Sequence, residues 1–116
     1  MEKSRILIAD DAELNREMLT QMLGKQYEFL YAGNGIEAIQ MLGGERTVDL
    51  LLLDINMPEM GGFEVLQIMN ERRWIKEIPV IVISADDNAD SVSEAYRLGA
   101  VDYITRPFST VSSSTA

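Results

Sequence analysis

Four consecutive leucines, Leu50 to Leu53, run directly into a carboxylate, Asp54. An unbroken apolar run of this length predicts a strand that is buried on both faces, as in a parallel sheet. A second apolar run, Ile6 to Ala9, ends in the same way, in Asp10 and Asp11. Two buried strands that both end in acidic residues restrict the fold more than any other feature of this chain.

Strands and helices alternate along the chain. Strands are predicted at 5–9, 27–32, 48–53, 80–83 and 101–105, and apolar residues at helical spacing follow each of the first four. This alternation implies right-handed crossovers and a parallel sheet. We predict an α/β fold with a doubly wound five-stranded sheet in the order 2-1-3-4-5, which places strands 1 and 3 side by side at the point where the strand order reverses.

The first helix is predicted to begin at Asp11, whose side chain can accept a free amide hydrogen bond as an N-cap. One apolar face is predicted from the helical spacing of Leu14, Met18, Leu19, Met22 and Leu23. Core gaps are predicted to be filled by Met18, Met22, Met41 and Met69. The alternative is that the exposed part of the first helix forms a docking face for a helical partner.

The composition excludes several classes of function. The net charge of −9 over 116 residues argues against direct nucleic-acid binding, which needs basic residues against phosphate, and against docking on an anionic membrane. The chain lacks cysteine and histidine, so it has neither a disulfide framework nor the usual zinc ligands. No apolar run approaches the roughly 20 residues that cross a bilayer. We therefore expect a cytoplasmic protein of one domain.

The acidic residues at the strand ends predict a metal site. If the first and third strands are neighbours, Asp10, Asp11 and Asp54 converge at one edge of the sheet, where their charges repel one another unless a cation is present. Mg²⁺ prefers such oxygen ligands, and Mn²⁺ accepts them as well. Taken singly, Asp11 could instead only cap a helix, and Asp54 could only shape a turn.

Further polar residues lie at the ends of the later strands. Asp54 is a candidate nucleophile that forms an aspartyl phosphate. Ser84 and Arg106 end the fourth and fifth strands, and their side chains could hold phosphoryl oxygens. Alone, Ser84 would be a polar strand end and Arg106 a surface charge. Tyr103 is expected either to pack half-buried or to turn inward when Ser84 moves toward a phosphate.

Taken together, these residues resemble the receiver domain of two-component response regulators, which has a flavodoxin-like fold. The resemblance covers residues 5–108. Its motifs are Ile8-Ala9-Asp10-Asp11, Leu53-Asp54-Ile55-Asn56-Met57-Pro58 with Gly61-Gly62 behind it, Ile83-Ser84-Ala85, Gly99 to Ile104, and Arg106-Pro107-Phe108. It implies a phosphorelay switch in which Asp54 accepts a phosphoryl group from a histidine on a partner kinase or phosphotransfer protein. Such a domain is not an enzyme beyond the phosphorylation and dephosphorylation of its own aspartate.

The resemblance also implies roles for individual residues. Asp10, Asp11, Asp54 and the backbone carbonyl of Asn56 would bind Mg²⁺, while Ser84 and Tyr103 would form the switch. A partner kinase would meet Leu14, Asn15 and Met18 on the first helix. The surface around the fourth helix and the fifth strand would face an output domain or protein.

The chain departs from the family pattern in two places. Arg106 stands where the family usually has lysine, and the two cations differ in geometry. The residues from Ser109 onward cannot supply the usual fifth helix, so we predict a receiver domain at 1–108, a flexible tail at 109–116 and an absent or incomplete fifth helix. One face of the sheet would then stay partly open, which predicts a homodimer, a swapped dimer, or a piece of a longer protein.

Two other functions remain as alternatives. A receiver-like interaction module that works without phosphorylation is favoured mainly by Arg106. A phosphohydrolase with an aspartyl nucleophile would usually carry a second acid two residues after the nucleophile, and Asn56 occupies that position here.

Overall fold

The computed structural model describes residues 3–106 of the chain. The strands are β1 (Arg5–Ala9), β2 (Glu28–Ala32), β3 (Leu50–Leu53), β4 (Val80–Ser84) and β5 (Asp102–Thr105). The helices are α1 (Glu13–Leu23), α2 (Gly35–Leu42), α3 (Gly62–Glu71) and α4 (Ala89–Arg97), with a 3₁₀ turn at Trp74–Lys76. Every strand pairing is parallel and the order is β2-β1-β3-β4-β5. The predicted α/β fold and strand order are therefore confirmed.

Helices cover both faces of the sheet. On one face, α2, α3 and α4 enclose a large apolar cluster whose buried members include Leu7, Leu51, Leu53, Val65, Leu66 and Met69. On the other face, Leu19 of α1 packs against Ile6, Ile8, Leu52 and Ile83. Within residues 3–106, α1 is the only helix that contributes to this second cluster. The four leucines of β3 thus contribute side chains to the apolar clusters on both faces of the sheet, which explains why the run has no polar residue in alternation.

The prediction of one continuous apolar face on α1 is wrong. Leu19 is buried and Leu23 is partly buried, but Leu14, Met18 and Met22 are 69%, 40% and 53% exposed. The exposed side chains are four residues apart and form their own stripe beside the buried one. Met18 and Met22 therefore do not fill core gaps, whereas Met69 is fully buried as predicted.

The predicted N-cap of α1 is also wrong. The cap residue is Ala12, with an extended backbone and no side-chain cap. The amide of Ala12 donates instead to Oδ1 of Asp10 at 2.9 Å. This bond draws the carboxylate of Asp10 over the start of the helix, and the side chain of Asp11 stays exposed and free of a capping role.

The glycine pair before α3 allows the helix to pack closely against the end of β3. A Cβ atom at Gly62 would lie 2.5 Å from the carbonyl oxygen of Asp54, and the Gly62 amide donates to Ile55 at 2.9 Å. Any side chain here would push α3 away from the residue that follows β3.

The predicted tail at 109–116 and the question of a fifth helix lie outside the described residues. Between residues 3 and 106, no helix has the length and apolar content needed to cross a membrane.

Candidate functional site

Three carboxylates meet where β1 and β3 end. Ala9 is paired with Leu53 in the parallel ladder, so the residues that follow them, Asp10 and Asp54, leave the sheet next to each other. The Asp54 amide donates to the carbonyl of Ala9 at 2.9 Å and continues the ladder by one step. One carboxylate oxygen from each of Asp10, Asp11 and Asp54 lies within 4.8 Å of the other two. The convergence predicted from the strand ends is therefore present.

The donor set of this cluster fits a hard divalent cation. Asp10 and Asp54 are only 2% and 3% exposed, while Asp11 is exposed to solvent. Two buried oxygen ligands and one accessible ligand at one edge suit an ion that takes oxygen donors and keeps some of its water. The residues present could thus hold Mg²⁺ or Mn²⁺.

Burial dominates the electrostatics of Asp54. Desolvation raises its pKa to about 6, with a smaller upward contribution from the negative charge of Asp10. The Asn56 amide, which donates to Oδ1 of Asp54 at 3.2 Å, and the Arg106 guanidinium both lower it. Because this pKa stays below 7, the carboxylate is mostly ionised at neutral pH and can act as a nucleophile or a metal ligand.

Arg106 reaches into the acidic cluster. Its Nη1 lies 3.2 Å from Oδ2 of Asp10 and its Nη2 lies 3.5 Å from Oδ1 of Asp54. Its backbone amide donates to the carbonyl of Ser84 at 2.7 Å, which fixes the residue beside the end of β4. The side chain is only 16% exposed. Arg106 is therefore part of the site and is not a surface charge.

Ser84 is fully buried at the end of β4. β4 is the neighbour of β3, and Val82 is paired with Leu53, so Ser84 lies at the same edge of the sheet as Asp54. Its hydroxyl accepts a hydrogen bond from the amide of Asp86 at 3.1 Å. The hydroxyl is thus hydrogen-bonded to the loop between β4 and α4 in this arrangement, and it could turn toward a phosphoryl group.

Tyr103 contacts the same loop. Its hydroxyl donates to the carbonyl oxygen of Asp86 at 2.6 Å, and its half-buried ring packs against the larger apolar cluster. Burial raises the pKa of Tyr103 above its usual value. Ser84 and Tyr103 therefore both bond to the backbone of Asp86, which links the two predicted switch residues.

Sequence reasoning missed the importance of Asp86. Its carboxylate accepts hydrogen bonds from the Asn88 amide at 2.8 Å and from the Ser91 hydroxyl at 2.9 Å. The Asn88 side chain in turn accepts from the backbone amide of Asp90 and caps α4. The signal was present, since an aspartate two residues before a helix-capping asparagine is typical of such turns.

The remaining predicted residues lie around this centre. The side chain of Asn56 is exposed, and its backbone amide contacts Asp54. Leu14 and Met18 are exposed on α1 and Asn15 is half-buried beside them, close along the chain to Asp11. Arg16, which the sequence did not single out, donates to the backbone carbonyl of Asp10 at 2.6 Å.

Comparison with known proteins agrees with this geometry. The chain matches the family model of the response regulator receiver domain over residues 6–113. It is 30% identical over 103 residues to the two-component response regulator ORR5 of Oryza sativa, covering 88% of this chain and 77% of that protein. The chain belongs to the receiver domain family of response regulators.

Other relatives are longer. A probable cyclic di-GMP phosphodiesterase of Vibrio cholerae is 38% identical over 104 residues, which are 90% of this chain but 23% of that protein. The chain thus spans less than a quarter of this relative, and the phosphodiesterase activity in its name belongs to that protein as a whole.

Solved structures show the same fold. The phosphorylated cyanobacterial phytochrome response regulator RcpA has a TM-score of 0.81 at 28% identity, covering 90% of this chain and 81% of that chain. The Mn²⁺-bound form of response regulator Rcp1 has the same TM-score and identity, covering 89% and 81%.

Membership of this family assigns a general role. Receiver domains take part in phosphorelay signalling, where they act as switches between histidine kinases and output domains and are in general not enzymes.

Proposed function

We propose that this chain is a phosphorelay switch in which Asp54 accepts a phosphoryl group from a histidine on a partner kinase or phosphotransfer protein. The observation that carries the proposal is the buried carboxylate of Asp54, clustered within 4.8 Å of Asp10 and Asp11 and paired with Arg106. A buried acid surrounded by metal ligands and a cation suits phosphoryl transfer, which depends on positioning and charge neutralisation.

Asp54 has one oxygen available for bond formation. Both hydrogen bonds that it accepts from the described residues fall on Oδ1, which leaves Oδ2 to attack. The new bond joins Oδ2 to phosphorus, and the bond between phosphorus and the imidazole nitrogen of the phosphohistidine breaks. The imidazole leaves with that electron pair. The Asp54 carboxylate is already ionised at neutral pH, so its attack needs no general base.

Asp10, Asp11, Asp54 and the backbone carbonyl of Asn56 would hold the Mg²⁺ ion, with Mn²⁺ as a substitute. When bound, the ion would neutralise charge on the phosphoryl oxygens. The phosphorylated and Mn²⁺-bound forms among the similar structures support both parts of this assignment for the present chain.

Ser84 and Arg106 would orient the phosphoryl group. The Ser84 hydroxyl can donate to one equatorial oxygen and the guanidinium of Arg106 to another. The burial of Asp54 and Ser84 limits access of water, which slows hydrolysis of the aspartyl phosphate.

The phosphoryl group would act as a switch through the β4–α4 loop. If Ser84 turns toward phosphate, it gives up its hydrogen bond from the Asp86 amide, and Tyr103 shares the same loop through the Asp86 carbonyl. Phosphate then shifts the population toward the state that binds it better. We expect the altered surface of α4 and β5 to meet an output domain or partner, and Leu14, Asn15 and Met18 to meet the donor.

A receiver-like module that works without phosphate is the second candidate. The observation that favours it is Arg106, which bonds both Asp10 and Asp54 and so occupies carboxylate oxygens that the metal ion would use. In either case we expect a cytoplasmic protein without direct contact to nucleic acid or membrane.

Intact-protein mass after incubation with Mg²⁺ and acetyl phosphate tests the proposal. We expect a gain of one phosphoryl group, about 80 Da, in the parent chain and none in Asp54→Asn or after addition of a chelator. Asp49→Asn is the matched control, because Asp49 immediately precedes β3 at its opposite end and should leave the mass gain intact. If the parent gains nothing while Mg²⁺ binding is shown separately, the phosphate-independent module replaces the switch.

A further inference from the structure

Arg106 bridges two different carboxylates. Its two terminal nitrogens do not bind the same carboxylate: Nη1 contacts Asp10 and Nη2 contacts Asp54. The bond from its backbone amide to Ser84 places the start of the side chain, so the guanidinium can span both acids from the end of β5. A lysine ammonium is a single compact charge and lacks the width of this fork.

The bridge engages oxygens that a divalent cation would need. On Asp10, Oδ1 accepts from the Ala12 amide, and Oδ2 accepts from Arg106. On Asp54, Arg106 shares Oδ1 with the Asn56 amide. The guanidinium therefore holds one oxygen of each buried acid in the cluster, and Asp11 is the acid that it leaves untouched.

The bridge is also weak enough to be replaced. Its N–O distances of 3.2 and 3.5 Å exceed the roughly 2.7–2.9 Å of a good charge-assisted hydrogen bond. Nε of Arg106 is buried and has no hydrogen-bond partner among the described residues, and a buried donor without a partner is uncommon. The guanidinium thus does not make its best set of bonds in this position.

We propose that Arg106 competes with the divalent cation for the carboxylate oxygens of Asp10 and Asp54. This inference rests on the proposed function, since it concerns the same metal site. Cation binding would displace at least one arm of the fork and free the guanidinium, including the Nε that has no partner within residues 3–106, to face the phosphoryl group. The arginine therefore lowers the affinity of this site for Mg²⁺ below that of the same site with lysine.

Calorimetric titration of the full chain with MgCl₂ at neutral pH tests the competition. We expect Arg106→Lys to bind Mg²⁺ about tenfold more tightly than the parent, the size expected for relief of one charge-assisted hydrogen bond. Arg97→Lys is the matched control, because Arg97 also forms an ion pair, with Glu94, but on the exposed side of α4; its Mg²⁺ affinity should equal that of the parent.

A second variant, Arg106→Gln, and a second measurement, the rise of Tm on adding Mg²⁺, distinguish failure of the competition from failure of the proposed function. Arg106→Gln removes the charge entirely and should bind Mg²⁺ at least as tightly as Arg106→Lys, with a larger rise of Tm on adding Mg²⁺ than the parent. Unchanged or weaker Mg²⁺ binding in both variants would overturn the competition. The phosphoryl mass gain of the parent, measured at saturating Mg²⁺, tests the proposed function independently. If the parent gains the phosphoryl mass and the variants bind Mg²⁺ with the affinity of the parent, the phosphorelay switch stands and only the competition by Arg106 is contradicted.

Discussion

At the scale of single residues, the central feature is a carboxylate buried beside two others. Asp54 is 3% exposed and lies in reach of Arg106. Burial raises the pKa of Asp54, whereas the positive charge of Arg106 lowers it. Burial has the larger effect and raises its pKa to about 6. The protein therefore carries an ionised acid at neutral pH in a place where burial disfavours the charge, so the fold would be more stable with a neutral group there.

This pKa predicts a pH-dependent gain in stability for Asp54→Asn. The folded-state pKa of about 6 exceeds the unfolded value of 3.8, so the native state binds more protons between these values and stability falls as pH rises through them. The contribution of Asp54 to the free energy of unfolding is most favourable below about pH 3.8 and is lost above about pH 6. With chelator present, Asp54→Asn should raise the free energy of unfolding by about 2–3 kcal/mol at pH 7 and by less than about 1 kcal/mol at pH 4.

Urea unfolding at both pH values checks this expectation. Asp49→Asn serves as the control, because Asp49 is exposed before the start of β3 and should show no gain at pH 7. If Asp54→Asn changed the free energy of unfolding equally at pH 7 and pH 4, burial of the ionised carboxylate would not destabilise the fold as its raised pKa implies.

At the scale of secondary-structure elements, α1 decides how one face of the sheet is covered. Only Leu19 of this helix is fully part of the cluster with Ile6, Ile8, Leu52 and Ile83. The exposed stripe of Leu14, Met18 and Met22 adjoins the acidic site through the start of the helix. The same helix thus has a structural side and a side that is available to a partner.

The two sides of α1 should respond differently to truncation. Leu19→Ala creates a cavity against the sheet and should lower the free energy of unfolding by about 2–4 kcal/mol. Leu14→Ala removes a side chain that is 69% exposed and should change it by less than about 0.5 kcal/mol. Urea unfolding of the two variants measures the difference, and a similar loss in both would contradict the assignment of the buried side.

How far the sequence predicts such features depends on their physical origin. Apolar runs that end in acids follow directly from burial and strand polarity, so the sheet order and the cluster of Asp10, Asp11 and Asp54 were predictable. Which of two neighbouring stripes on α1 faces the sheet depends on a rotation that periodicity leaves open. The start of that helix at Glu13 depends on a bond from Ala12 to Asp10, a tertiary detail of the site itself.

The same distinction applies within the site. The position of Arg106 at the end of β5 indicated a role near phosphate, but its bridge across two acids required the three-dimensional placement of both. The link that Asp86 makes between Ser84 and Tyr103 is not predictable, because the bonds of its backbone to these two side chains leave no pattern in the sequence. The 3₁₀ turn at Trp74–Lys76 was missed because a three-residue turn carries no periodicity.

At the scale of the whole molecule, large apolar side chains are exposed on several elements of the described chain. They include Leu14, Met18 and Met22 on α1, Ile36 on α2, and Ile104 on β5, which is 39% exposed. Exposed apolar groups of this kind commonly mark interaction sites. We predict that the isolated chain associates into dimers, by direct contact or by exchange of elements. Light scattering after size-exclusion chromatography should show a mass that rises with concentration, and a monomer at all concentrations would contradict this.

The most direct test of the central claim is chemical location of the phosphoryl group. The chain is phosphorylated in the presence of Mg²⁺, reduced with borohydride, which converts an aspartyl phosphate to homoserine, and then mapped by peptide mass spectrometry. We expect homoserine at position 54 alone, and none when Mg²⁺ is chelated before phosphorylation. Homoserine at Asp10 or Asp11, or an unmodified Asp54 in a chain that has gained a phosphoryl group, would contradict it.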